Sequence, residues 1–172
     1  MRSDQNTASI YIGLGANLPF GEHSPRETQE AALAALEGEG VHIVSRSAFW
    51  TSPAWPDPSK PAYVNAVAEV ATDLDPHALL RCLLAVEARF GRVREARWGA
   101  RTLDLDLIDY AGRRIEDAPE LCLPHPRTGQ RAFVLLPLKE IAPGWIDPVT
   151  GQDIATLIAA LPEDDRRVTQ KL

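Results

Sequence analysis

The chain predicts an α+β protein with a ferredoxin-like βαββαβ core, an antiparallel sheet covered by helices, and a C-terminal extension. Three observations carry that expectation. Strand-like and helix-like segments alternate in the order β-α-β-β-α-β. Both helix starts carry a capping residue followed at once by proline, Ser24-Pro25 and Asp75-Pro76. A Pro-rich stretch, Thr51 to Pro61, separates the two middle strands without any helical pattern.

Each element has a local reason. Ile10-Tyr11-Ile12-Gly13-Leu14 is a short apolar run of the kind that forms a buried strand. Ser24 can cap a helix, Pro25 fits its first position, and Glu27 completes a capping box; Leu33 and Leu36 continue the helix to Gly38 and Gly40. A second strand is expected over Val41 to Trp50. Four prolines between Thr51 and Pro61 then make a loop too long for a hairpin turn, a length that marks functional loops. Tyr63 to Thr72 alternates, with Tyr63, Asn65 and Val67 on one face and Val64, Ala66 and Ala68 on the other. The second helix opens at Pro76, presents Leu79, Leu80, Leu83, Val86 and Phe90 as an apolar stripe, and ends at Gly91. A fourth core strand is expected over Thr102 to Tyr110, followed by a turn at 109–113 with Arg114 and Ile115 returning. Phe133 to Leu136 is a further apolar run, and Ile154 to Leu161, capped by Asp153, is a final helix. Two helices would cover one face of the sheet. Residues 1–8 read as a loose tail and residues 9–172 as a single domain.

Composition narrows the function. The chain has 172 residues, enough for one domain that needs no disulfide or metal staple. A net charge of −6 and a pI near 5.2 argue against a general nucleic-acid binder. The longest apolar stretch, Ala132 to Leu138, is far too short to span a bilayer, and Met1 to Ser9 holds no hydrophobic signal region. Cys82 and Cys122 suit reduced thiols in a cytoplasmic protein.

The chemistry concentrates between residues 89 and 106. On a strand over Thr102-Leu103-Asp104-Leu105-Asp106-Leu107 the leucines face the core. Asp104 and Asp106 then share the opposite face with Cα atoms about 7 Å apart. Two carboxylates so placed can hold hard cations such as magnesium. The alternation alone also fits a half-buried strand with a solvated polar face. Just upstream, residues 89–101 hold Arg89, Arg92, Arg94, Arg97 and Arg101 against one acid, Glu95. An arginine fork matches phosphate oxygens in a bidentate way. Cations followed at once by paired carboxylates are what a metal–polyphosphate site needs. There is no G-x-x-x-x-G-K-[ST] loop, and Gly13-Leu14-Gly15-Ala16-Asn17-Leu18 is not a full dinucleotide fingerprint. Side chains and metal, rather than a glycine cradle, would hold any nucleotide. His125 is the one histidine in a distinctive context, Leu123-Pro124-His125-Pro126-Arg127, and Tyr63 and Asn65 could meet a planar heterocycle.

The string Gly91-Arg92-Val93-Arg94 followed by Arg97-Trp98-Gly99-Ala100-Arg101-Thr102-Leu103-Asp104-Leu105-Asp106 resembles the signature of the 6-hydroxymethyl-7,8-dihydropterin pyrophosphokinase family. Gly15-Ala16-Asn17-Leu18, Tyr63-Val64-Asn65-Ala66, Pro124-His125-Pro126-Arg127 and Arg131-Ala132-Phe133 extend the likeness from Ile10 to about Pro143. The resemblance implies an α/β/α ferredoxin-like fold and transfer of the β,γ-pyrophosphoryl group of ATP to the hydroxymethyl oxygen of the pterin, releasing AMP in folate biosynthesis. It implies two Mg2+ ions held by Asp104 and Asp106, with Arg92 and Arg101 on the transferred phosphates. Arg94, Arg97 and Trp98 would lie on a mobile loop, and Leu107, His125 and Arg131 would border the nucleotide. Thr51, Ser52, Pro53, Ala54, Tyr63, Asn65, Trp98 and Phe133 would form the pterin pocket, with Glu87 near its end of the second helix. It further implies a cytoplasmic monomer without nucleic-acid or membrane partners. The chain departs from the pattern at Glu95, Pro126 and Leu84, and its arginine loop is one residue shorter than in a familiar enterobacterial form. A non-catalytic binding module and a different two-metal phosphotransferase or nucleotide hydrolase are the alternatives.

Overall fold

A computed structural model describes residues 9–92 and 101–172. The first strand, β1 (Ile10–Ala16), lies between β4 (Tyr63–Ala71) and β5 (Asp104–Tyr110), antiparallel to both. On the far side of β4 run β2 (His42–Arg46) and β3 (Trp50–Ser52), and β8 (Gln170–Lys171) adds to β3, making six antiparallel strands. Helices α1 (Pro25–Gly38) and α2 (Pro76–Arg89) begin where the caps predict. Ser24 Oγ accepts from Glu27 N–H while the Glu27 carboxylate accepts from Ser24 N–H, and Asp75 accepts from Ala78 N–H. This is the ferredoxin-like core.

The expected strand over 41–50 is two strands. Ser47 is the cause: its N–H donates to Val67 O, and its hydroxyl accepts from Val67 N–H at 3.0 Å. The side chain thus replaces a ladder bond, and the four steps from Arg46 to Trp50 face only three on β4, from Ala68 to Asn65.

The sheet carries a core on each face. Leu103, Leu105, Leu107, Ile12, Leu14, Ala66 and Ala68 meet Leu36, Leu79 and Leu83 of α1 and α2. Tyr11, Val67 and Ile108 face Leu135, Leu138, Trp145, Ile154 and Leu157 on the other side. That second layer is the C-terminal extension. The Phe133–Leu136 run is part of a helix, α3 (Ala132–Ile141), and the helix capped by Asp153 is α4 (Ile154–Ala160). A short helix α5 (Glu163–Val168) leads into β8. The return strand expected after residue 113 does not run back along β5; β6 (Ile115–Asp117) pairs with β7 (Leu121–Leu123) as a separate two-stranded sheet. His77 Nε2 and Asp117 Oδ2, 2.8 Å apart, tie that hairpin to α2.

A bulge at Ile108 displaces the end of β5, because Tyr11 pairs with Asp109 while Ile12 pairs with Leu107. Asp109 thereby reaches the second core, where Trp145 Nε1 donates to it at 2.8 Å and Gly112 N–H at 3.0 Å. Burial pushes the Asp109 carboxyl up, and these two donors oppose the shift. Trp145→Phe should therefore cost about 2 kcal/mol in urea unfolding, because a buried carboxyl loses a donor. An unchanged midpoint would mean the bond contributes nothing.

Candidate active site

On the second face the start of α3, with Phe133 and Val134, lies across from Gly13 and Gly15 of β1, Asn65 of β4, and Asp104 and Asp106 of β5. A cavity of about 400 Å3 opens there. Its floor follows from register. Gly13 pairs with Asp106 on one side and Val67 on the other; Gly15 pairs with Asp104 and Asn65. Two glycines leave the middle strand bare, so the aspartates border open space rather than a packed side chain. A methyl group at Gly13 would come within 3.3 Å of Ile108.

One wall is charged. Arg101 Nη1 lies 2.6 Å from Asp104 Oδ2, and Arg92 Nη2 lies 3.8 Å from Asp104 Oδ1. Arg92 is only 8% exposed at its side chain, and its Nε has no hydrogen-bond partner among the described residues. Burial first, then the neighbouring Asp104 charge, pushes Asp106 up to about 7, with Arg131 pulling the other way. Arg131 also stacks on Phe133, its guanidinium carbon 5.4 Å from the ring centre. A second carboxylate that feels both burial and the Asp104 charge calls for a cation. The orphaned arginine N–H calls for an anion. The donor set therefore fits magnesium bound with a polyphosphate.

The opposite wall is less charged. Tyr63, Phe133, Val134, Pro53 and Trp55 line it. Asn65 Nδ2 donates to Ser52 Oγ at 2.8 Å, and both side chains are buried. Burial pushes the Tyr63 hydroxyl up, and the charges of Arg101, Asp104 and Arg92 reach it, so the two walls adjoin.

The cavity thus gathers Ser52, Pro53, Tyr63, Asn65, Arg101, Asp104, Asp106, Arg131 and Phe133 from the expected set. Arg94, Arg97 and Trp98 lie outside the described residues. Thr51 and Ala54 do not line it. Leu107 turns its side chain to the face opposite Asp106, as period two requires, and buries it in the core against α1 and α2, so a nucleotide contact there falls to its backbone. Glu87 lies near the end of α2 and is buried under β5, where its Oε1 accepts from Leu105 N–H at 2.9 Å, between the two aspartates. Its carbonyl accepts from Arg92 N–H at 3.2 Å. Gly91 starts the arginine segment at φ +75°, and a Cβ there would sit 2.8 Å from the Phe20 ring, so the turn requires glycine. Trp55, Arg127 and Gln130 line the cavity without having been expected.

His125 opens onto a neighbouring groove with Gln130, Thr128 and Thr150. Burial, then the Arg131 charge, holds its imidazole down at about 4 instead of 6.5, so it is neutral at pH 7. Between those two values the unfolded chain binds a proton that the folded chain does not. Stability from this group is therefore complete above about 6.5 and lost as pH falls towards 4. The loss should approach roughly 2–3 kcal/mol. His125→Gln should flatten that part of the urea-midpoint profile against pH; an unaltered profile would contradict a neutral, half-buried imidazole.

Fold and site together suit phosphoryl transfer beside a pocket that can take a planar ring. Residues 11–143 match the model of the 7,8-dihydro-6-hydroxymethylpterin-pyrophosphokinase (HPPK) family, and the chain belongs to that family. A Synechocystis 2-amino-4-hydroxy-6-hydroxymethyldihydropteridine pyrophosphokinase is 43% identical, over 90% of this chain and 76% of its own. The enzyme of the same name from Pseudomonas aeruginosa is 41% identical, over 89% and 91%. Among solved structures, a Plasmodium falciparum HPPK-DHPS chain with pterin and p-hydrobenzoate superposes with a TM-score of 0.71 at 13% identity. It covers 98% of this chain, which spans 48% of that longer one, and so shares its fold.

Proposed function

We propose that residues 9–172 form one pyrophosphokinase unit that transfers the β,γ-pyrophosphoryl group of ATP to the hydroxymethyl oxygen of 6-hydroxymethyl-7,8-dihydropterin in folate biosynthesis. The observation that carries this reading is Asp104, paired with Arg92 and Arg101 and set beside Asp106, at a cavity that also holds Tyr63, Phe133 and the Asn65–Ser52 pair.

The pterin hydroxymethyl oxygen forms a bond to the β-phosphorus and gives up its proton to solvent, while the bond from that phosphorus to the α–β bridging oxygen breaks and AMP leaves with that oxygen. Such a reaction asks the protein for position and charge compensation rather than covalent chemistry. Arg101, Arg92 and Arg131 present guanidinium groups to the phosphate oxygens. Asp104 and Asp106 would hold Mg2+, two ions in our reading, which when bound neutralise the polyphosphate charge. Tyr63 and Phe133 offer ring faces to the heterocycle, and Asn65 and Ser52 offer hydrogen bonds to its edge. The segments 51–61 and 91–101 would close over the site and exclude water, with Arg94, Arg97 and Trp98 on the second. His125, neutral at pH 7, would contact the nucleotide as a hydrogen-bonding group, not as a counter-charge. The unit acts as a monomer in the cytoplasm; no helix among the described residues is long and apolar enough to cross a membrane.

The test is product identity. Purified protein with ATP, Mg2+ and the pterin should form AMP only when the pterin is present, read by chromatography of the nucleotides. ADP would instead assign an ordinary kinase or hydrolase. ATP binding without any product would assign a binding module.

A further inference from the structure

One buried side chain outside the expected set joins the two halves of the cavity. Asn17 follows β1 directly and is 3% exposed. Its Oδ1 accepts from Arg101 N–H at 2.7 Å, and its own N–H donates back to Arg101 O at 3.0 Å. Leu18 N–H donates to the same carbonyl at 3.1 Å. On its other side, Asn17 Nδ2 donates to Pro61 O at 3.1 Å. Pro61 closes the Pro-rich loop whose Pro53 and Trp55 line the heterocycle wall; Arg101 lies 2.6 Å from Asp104 on the phosphate wall. One carboxamide therefore clamps the backbone of a phosphate-facing arginine and the foot of the opposite loop.

Only a carboxamide of this length does both. Oδ1 must accept and Nδ2 must donate at the same point. Serine ends in a single hydroxyl on a shorter stem and cannot reach both partners from one place, aspartate has no donor for Pro61 O, and glutamine carries an extra methylene in a buried place.

We propose that Asn17 is a positioning residue for the transfer reaction: it fixes the Arg101 backbone so that the guanidinium stays beside Asp104, and it holds the 51–61 loop against that same point. This rests on the function proposed above. An ordinary buried asparagine would support the fold alone. A positioning residue acts through Arg101 on one side and through the heterocycle loop on the other, and these separate experimentally.

The experiment uses the full chain with Asn17→Ala, Asn17→Asp, Arg101→Ala and the Asn17→Ala/Arg101→Ala double variant. Amide exchange at Arg101 is read by NMR without substrates, so it stands even if the parent forms no AMP, which would sink the function and not the clamp. In Asn17→Ala the Arg101 amide should exchange about tenfold faster or more. The kcat for AMP formation should fall by about tenfold or more, and the double variant should be within about twofold of Arg101→Ala alone. Asn17→Asp keeps an oxygen for Arg101 N–H and faces Pro61 O with a second oxygen. It should keep the Arg101 amide protected and kcat within about threefold, while the pterin KM rises about fivefold or more. Unchanged Arg101 exchange in Asn17→Ala, losses that multiply in the double variant, or a parental pterin KM in Asn17→Asp would each overturn the proposal. Should Asn17→Ala fail to fold, the amide protection, kcat and KM of Asn17→Asp decide it.

Discussion

Asp106→Asn should abolish nearly all AMP formation, by about a thousandfold or more, while leaving the fold as stable as the parent or more so. The two halves of that expectation come from one observation. Asp106 sits where burial and the Asp104 charge raise its carboxyl to about 7, so the folded protein without a cation is strained by the second charge. A neutral isostere relieves that strain. It also removes a hard anionic oxygen from the cation site, and an amide oxygen is a poorer partner for Mg2+. Asp104→Asn should lose as much activity but gain no stability, because Asp104 already pairs with Arg101 at 2.6 Å. Steady-state rates with excess Mg2+ and thermal melts of both variants check this. Rates within tenfold of the parent in both would remove the aspartates from the cation site.

Arg101→Ala should lower kcat by roughly 10- to 100-fold, and Arg101→Lys should recover little of it. The guanidinium pairs with Asp104 and both line the cavity, where a planar fork can meet the carboxylate and phosphate oxygens together; an ammonium offers a point charge on a flexible stem. Arg92→Ala should act in the same direction, since its Nη2 approaches the same aspartate and its Nε is unsatisfied among the described residues. Measured kcat and ATP KM decide the matter: full activity in Arg101→Lys would show that charge alone suffices, and near-parental rates in Arg101→Ala would deny the role.

What the sequence made legible was local and periodic. Ser24 and Asp75 mark their helices because capping depends on a few neighbouring atoms. Asp104 and Asp106 fall on one face because a strand has period two, and the leucines between them fall in the core for the same reason. The misses are long-range. Ser47 breaks a strand only because its hydroxyl meets Val67 across the sheet. Asn17, Glu87 and Trp145 act on Arg101, Leu105 and Asp109, at chain separations of 84, 18 and 36, and no local pattern marks such pairs. Trp55 reads as one residue of a Pro-rich loop until the fold turns that loop over the cavity. Period two also turns the Leu107 side chain into the core, so the family likeness leaves only its backbone for a nucleotide.

The most direct test of the central claim follows the phosphorus atoms. Two ATP samples, one radiolabelled at the β-phosphorus and one at the γ-phosphorus, are incubated with the protein, Mg2+ and 6-hydroxymethyl-7,8-dihydropterin, and the pterin product is isolated. Both labels should appear in the pterin in equal amount, with unlabelled AMP as the other product. Label from the γ-position alone would mean single phosphoryl transfer, and would contradict a site built to move the pyrophosphoryl group as one unit.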